Sequence, residues 1–282
     1  MMSEQGAKYE KFKALHYQDH AFVIPNAWDA GSTRVLTAMG FESIATTSAG
    51  YAFSVGKRDS FAGLSRDEIL MNAQAIVSAT DLPVSADLED GFGASPNACA
   101  ATIALGVDVG LVGGSIEDAT GDQNDPIYAL GAAVDRVKAA ADAAKDKPFL
   151  LTARAEGFLY GQDDLGEIIK RLQAFSDAGA DVLYAPGLPD LDAIRTVCSE
   201  VDKPLNVLMG LQGPRYSVHD ISNAGARRIS VGGSFARAAM GALKRAADEV
   251  LQSGTFDYAK DAIPDAELAQ MMSQEKTNQR DD

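Results

Sequence analysis

Short apolar, β-rich runs alternate with amphipathic or alanine-rich stretches along nearly the whole chain, the pattern of repeated βα units. The apolar runs fall at Phe22 to Asn26, Ser43 to Thr47, Pro83 to Glu89, Gly110 to Glu117, Phe149 to Glu156, Asp181 to Pro186, Pro204 to Met209 and Arg228 to Val231. Each is apolar enough to be covered on both faces, as the strands of a parallel sheet are. Helices are predicted between them, among others over Ser65 to Thr80, Asp125 to Lys145, Asp164 to Ala178 and Asp190 to Val201, several with Ser or Asp at the N-cap. The stretches Gly179-Ala180-Asp181 and Gly225-Ala226-Arg227 repeat one device, a glycine that ends a helix just before the next strand.

Eight such units predict an α/β chain closed into a (β/α)8 barrel of the TIM type. The competing arrangement is an open doubly wound sheet. Its glycine-rich dinucleotide fingerprint would follow the first strand, where this chain has Pro25-Asn26-Ala27-Trp28-Asp29 instead. Residues 1–254 are therefore expected to form the barrel, a catalytic domain, and 255–282 a C-terminal extension. In that extension Thr255 to Met272 reads as one or two further helices, and Ser273 to Asp282 as a solvated tail.

Composition narrows the partners. A chain of 282 residues with 46% hydrophobic positions can bury a sizeable core. Its 25 basic and 40 acidic residues give a formal net charge of -15, which opposes phosphate backbones and anionic membrane surfaces. Neither nucleic acid nor membrane is expected as a partner, and a small anionic substrate would need local positive charge to enter such a field. Cys99 and Cys198 have no CxxC spacing and no neighbouring His, so buried thiols in helices are expected rather than a disulfide framework or a zinc site. Met1 to Glu10 lacks an apolar leader core and no apolar run approaches membrane length, which points to the cytoplasm.

The chemistry collects at the carboxyl ends of the predicted strands, where barrel enzymes place their sites. The third strand runs into Asp87-Leu88-Glu89-Asp90-Gly91-Phe92-Gly93, carboxylates followed by a glycine-rich turn. Acids at one strand tip can cap a helix or face solvent, or they can hold a hard cation. The next strand brings a second acidic tip, Glu117-Asp118, and two neighbouring tips can share one ion, so the metal reading prevails. Thr46 to Tyr51 offers hydroxyls and backbone amides suited to a carboxylate. Arg154, flanked by Ala153 and Ala155, reads as a bidentate carboxylate clamp.

Four separated motifs resemble the isocitrate lyase and phosphoenolpyruvate mutase superfamily, over about Phe22 to Ala246. They are Thr47-Ser48-Ala49 with Gly56-Lys57-Arg58-Asp59-Ser60, the Asp87 to Gly93 element with Glu89 in place of an Asp, Ile116-Glu117-Asp118, and Thr152-Ala153-Arg154-Ala155-Glu156. The resemblance implies a Mg²⁺ site, open also to Mn²⁺, with Asp87, Glu89 and Glu117 as ligands, largely through waters. It implies a carboxylate grip by Thr47, Ser48, Ala49 and Arg154. From the residues themselves, Asn206 on the seventh strand is read as a further substrate contact, and Asp59 and Tyr51 as the candidate proton carriers. The implied reaction is carbon–carbon cleavage of a 2-oxo or 2-hydroxy acid, such as oxaloacetate or a substituted malate, through a pyruvate-like enolate. Cleavage or rearrangement of phosphonopyruvate and non-catalytic binding of 2-oxo acids are the alternatives. The family's lyases carry a loop cysteine after the fourth strand and its mutases a lysine, whereas this chain has Ala119-Thr120-Gly121-Asp122-Gln123-Asn124-Asp125. Family members also exchange their last helices between subunits, which implies a homotetramer built as a dimer of dimers. His16, His20 and His219 are expected at the surface, and Tyr184 is a weaker candidate at the sixth strand tip.

Overall fold

The structure, a computed structural model, describes residues 3–60, 63–211 and 213–273. Its strands are β1 (Phe22–Ile24), β2 (Asn26–Ala27), β3 (Ile44–Thr46), β4 (Val84–Asp87), β5 (Gly113–Glu117), β6 (Leu150–Arg154), β7 (Val182–Tyr184), β8 (Leu205–Leu208) and β9 (Arg228–Ser230). They form one sheet in the order β1-β9-β8-β7-β6-β5-β4-β3-β2, and every pairing is parallel. The first predicted strand is split at Pro25, which has no N–H to give to a ladder. Its first half pairs with β9 and its second with β3, so the two ends of the sheet belong to one run of chain and the barrel closes. The predicted (β/α)8 architecture is the one observed.

Helices wrap this barrel where the sequence places them, with shorter ends. Ser65 caps Arg66–Ser78 in a reciprocal box with Glu68, and Asp164 and Asp190 cap Leu165–Asp177 and Leu191–Glu200. The helix expected from Asp125 begins only at Leu130, because Pro126 and the bridge between Ala119 and Ile127 hold the preceding residues extended. Gly179 (φ 106°) and Gly225 (φ 105°) end their helices in the left-handed region, as the repeated motif predicts. Cys99 is buried and Cys198 half-buried, both free thiols on helices.

A helix that apolar periodicity does not announce, Glu4–Leu15, closes the amino-terminal end of the barrel. Only Phe12 and Leu15 are buried on it, and they pack with Phe22, Ile24, Val112 and Leu150. His16, just past this helix, corrects the surface expectation: it is 1% exposed, whereas His20 and His219 are exposed. Its Nδ1 lies 2.8 Å from the Phe12 carbonyl and its ring meets Phe12 and Phe22 edge-on. At the other end of the chain follow the helix Ser234–Ser253, a 3-10 turn Asp257–Asp261 and the helix Asp265–Met272. That last helix lies against Ala30–Ala38 of the same chain, where Arg34 donates to the Met272 carbonyl. Most of the predicted tail, 274–282, is outside the described residues. No described helix is long and apolar enough to cross a membrane.

Candidate active site

A cavity of about 390 Å³ opens at the carboxyl ends of the strands. The loop after β4 decides which acids reach it. Asp90 accepts from the Phe92 amide at 2.8 Å, and Glu89 and Phe92 adopt φ of 48° and 59°. Gly91, at φ 84°, lies where a Cβ would stand 2.8 Å from Cys99 Sγ, so glycine is required by both conformation and space. This turn leaves Asp87 and Glu89 lining the cavity and drives Asp90 into the protein body. There Arg136 approaches the Asp90 carboxylate at 3.8 Å and donates to the Asp90 and Gly93 carbonyls. The β5 tip is sorted the same way. Glu117 lines the cavity, while buried Asp118 points outward, taking Arg171 Nη1 at 3.1 Å and the Glu156 amide at 2.8 Å. Burial pushes the Asp118 carboxyl up to about 6.

Arg154 organises the remaining carboxylates. Its Nη1 is 3.0 Å from Asp87, its Nη2 3.2 Å from Glu117 and its Nε 2.7 Å from Glu156, while the guanidinium lies 5.0 Å from the centre of the Tyr184 ring. Asp87 also receives the Ser48 hydroxyl at 2.8 Å and the Ser48 amide at 3.3 Å. With Asp59 and Glu89 on the same cavity wall, the acids outnumber the guanidinium they share. Glu89 is pushed up to about 8 by burial and by Asp87, Asp90 and Asp59, with Arg154 opposing. Glu117 is raised by burial, which outweighs its pairing with Arg154. Asp59 is raised by burial and by Asp87. Burial works against the charge of Arg154, but Glu156, Glu117 and Asp87 hold it protonated.

Of the predicted residues, Thr47, Ser48, Ala49, Asp59, Asp87, Glu89, Glu117, Arg154, Tyr184 and Asn206 all line this cavity. Tyr51 does not: it sits on the helix Ser48–Ser54, half-buried against the core, so its expected proton-carrying role is withdrawn. The Thr47 hydroxyl caps that helix by accepting from the Gly50 amide at 3.2 Å. Asn206 is engaged at both ends of its amide, taking Arg228 Nε at 2.9 Å and donating to Ser230 at 2.9 Å. Among the described residues no three His, Cys, Asp or Glu side chains converge closely enough to hold an ion, because the Arg154 guanidinium bridges Asp87 and Glu117. The oxygen-only donors nonetheless fit a hard cation bound partly through water, and the excess of acid supplies the reason for one.

Leu159 and Tyr160 are cavity residues that a strand-tip reading does not reach. Glu156, the last residue of the predicted Phe149 to Glu156 run and part of the arginine motif, has no role assigned from sequence; it lines the cavity at 2% exposure and holds Arg154 Nε at 2.7 Å. Leu159 and Tyr160 lie on a 3-10 turn, Gly157–Tyr160, that no periodicity marks.

The phosphoenolpyruvate phosphomutase family model matches residues 12–251. The chain belongs to this family. Its similarity to a solved structure from Burkholderia cenocepacia J2315 is 50% identity, with 97% of this chain and 98% of that chain covered and a TM-score of 0.94. A 2,3-dimethylmalate lyase of the PEP mutase/isocitrate lyase superfamily is 25% identical, with 97% and 96% covered and a TM-score of 0.85. The 2-methylisocitrate lyase of Shewanella oneidensis is 29% identical over 214 residues, 73% of this chain and 72% of that protein. Family membership makes the chain an enzyme of the lyase and mutase superfamily that the motifs resemble.

Proposed function

We propose that this enzyme is a divalent-metal-dependent lyase that breaks a carbon–carbon bond in a 2-oxo or 2-hydroxy carboxylate through a pyruvate-like enolate. The observation that carries the reading is Arg154 shared among Asp87, Glu117 and Glu156 in a cavity that also holds Asp59 and Glu89. Carboxylates gathered in excess of their counter-charge call for a cation. Asp87, Glu89 and Glu117 would hold Mg²⁺, which when bound supplies Lewis-acid stabilisation of enolate charge.

The chain's own residues do the rest. Arg154 presents a planar fork to the substrate carboxylate, fixed by Glu156 on its Nε and by Tyr184 on its face. At the start of the Ser48–Ser54 helix the Ser48 amide and hydroxyl are taken by Asp87 and the Gly50 amide by Thr47, which leaves the Ala49 amide to support the same carboxylate. Asp59, raised by burial and by Asp87, is suited to carry a proton at the cavity edge.

The test is thermal denaturation with Mg²⁺ and oxalate, an enolate mimic. At roughly 100-fold excess over Kd the ligand contributes about 2.7 kcal/mol, and the melting temperature should rise by about 5 °C or more. Asp87→Ala should abolish the shift, and an unmoved melt in the unmodified protein would sink the reading. A pyruvate-release assay across 2-oxo and 2-hydroxy acids then tests turnover. Phosphate from phosphonopyruvate would favour carbon–phosphorus chemistry, and silence with binding intact would favour a 2-oxo acid binding protein.

A further inference from the structure

The cavity has an apolar wall opposite in character to its carboxylate floor. Leu159 is 54% exposed and Tyr160 45% exposed, and both line it together with Leu208 and Leu211. This wall is built rather than incidental. A Cβ on Gly157 would stand 2.8 Å from Ile168 Cδ1, and one on Gly187 would stand 3.0 Å from Phe158 Cβ and 3.4 Å from Leu159 Cδ2. The Gly157–Tyr160 turn is thus pressed onto its neighbours at two glycines, and Gly161, at φ 73°, ends it. Leu159 and Tyr160 are held toward the cavity by packing beneath them.

Positive charge is scarce on the same surface. Among the described residues that line the cavity, the cations are Arg154 and Arg228. Arg154, already shared by three carboxylates, is the anchor assigned above to the substrate's 2-oxo carboxylate and does not serve a second anion. Arg228 is 5% exposed and is engaged by Thr152 and Asn206 at 3.1 and 2.9 Å. Lys57, on the loop that carries Asp59, is held by Glu68 at 2.5 Å. Arg58 stands exposed on that loop and is not in the lining. Among the described lining residues a second anionic group on the substrate would therefore meet leucines and acids with no free guanidinium or ammonium, which costs far more than burying a methyl there.

We propose that the site selects a 2-oxo acid whose distal end is uncharged and apolar, with Leu159, Tyr160, Leu208 and Leu211 forming the subsite for that end. The inference rests on the metal-enolate reading above and replaces the dicarboxylic substrates that the motif resemblance implies.

The experiment is calorimetric titration in Mg²⁺ with an isosteric pair, 5-methyl-2-oxohexanoate and 2-oxoglutarate, in which a terminal isopropyl group replaces the second carboxylate. Oxalate serves as the control for the metal-enolate end. The isopropyl compound should bind at least about 10-fold tighter than 2-oxoglutarate, the scale on which apolar pockets discriminate. Leu159→Arg, at an exposed position, should shift that ratio at least about 10-fold toward 2-oxoglutarate and leave oxalate affinity within about threefold. Equal or tighter binding of 2-oxoglutarate by the unmodified protein, with oxalate still bound, overturns the inference and spares the parent reading. An unchanged ratio in Leu159→Arg overturns the assignment of the wall, and absence of oxalate binding removes both proposals together.

Discussion

The two ends of this barrel treat buried charge in opposite ways. At the carboxyl end Arg154 is shared by Asp87, Glu117 and Glu156, with Glu89 and Asp59 on the same cavity wall. Between the cavity, whose lining it reaches, and the amino end, Arg228 is buried among neutral acceptors, the Asn206 carbonyl, the Thr152 hydroxyl and, at 3.4 Å, His16 Nε2, and burial lowers it to about 10. The aromatic rings of Phe12 and Phe22 close that end, 6.3 Å apart and edge to face. The upper end is left with negative charge for something to answer, whereas Arg228 and His16 below it find neutral partners close by. Imbalance marks the functional end and local satisfaction the structural one.

Breaking the upper end should have the largest effect. Arg154→Ala strands carboxylates that pair with no other guanidinium among the described residues, so we expect a stability loss of about 3–5 kcal/mol in urea titration. Oxalate affinity should fall on the order of 10²-fold, the scale of a lost electrostatic anchor. Phe12→Ala strikes the lower end alone. It should cost about 3–5 kcal/mol by leaving a cavity under the barrel. The folded fraction should still bind oxalate with Mg²⁺ as before, and weakened binding would mean that the two ends are coupled.

The smallest effect sharpens the comparison through pH. Burial first, and then Arg228, lower the His16 imidazole to about 3, against an ordinary value near 6.5. Between those values the unfolded chain binds a proton that the folded protein refuses. Stability on this account is fully present above pH 6.5 and falls as pH drops toward 3, by up to about 1.4 kcal/mol per pH unit. His16→Gln should flatten the acid limb by one proton, measured as the pH dependence of the urea midpoint; an unchanged limb would show that His16 titrates normally.

Much of this was legible along the chain. The strands end where the acids and the arginine begin, and the repeated Gly-Ala dipeptides mark helix ends that the structure places in the left-handed region. The division of labour within each acidic tip followed from the motif resemblance, which picks out Asp87, Glu89 and Glu117, the three that line the cavity. What the chain does not spell out is the physical cause: the turn at Gly91 and the buried arginines Arg136 and Arg171, from helices far along the chain, hold Asp90 and Asp118 away from the cavity. Tyr51 misled because its place after a strand tip suggests exposure, whereas the Ser48–Ser54 helix rotates it against the core. The Glu4–Leu15 helix was silent because it buries only Phe12 and Leu15.

By itself the sequence determined the number of strand runs, the direction of their alternation and the chemistry at each tip, since all of these depend on spacing within a few residues. The tertiary structure alone decided who meets whom. Glu117, Arg154, Tyr184, Asn206 and Arg228 form one continuous register row across β5 to β9, and that row continues to Phe22 on β1. Because strands in a closed barrel tilt and stagger, the row descends from the mouth to the plug, carrying an ion pair, a stacked tyrosine and a neutral network in turn. Each of those contacts joins residues from different strands, and no local spacing encodes the stagger that brings them together.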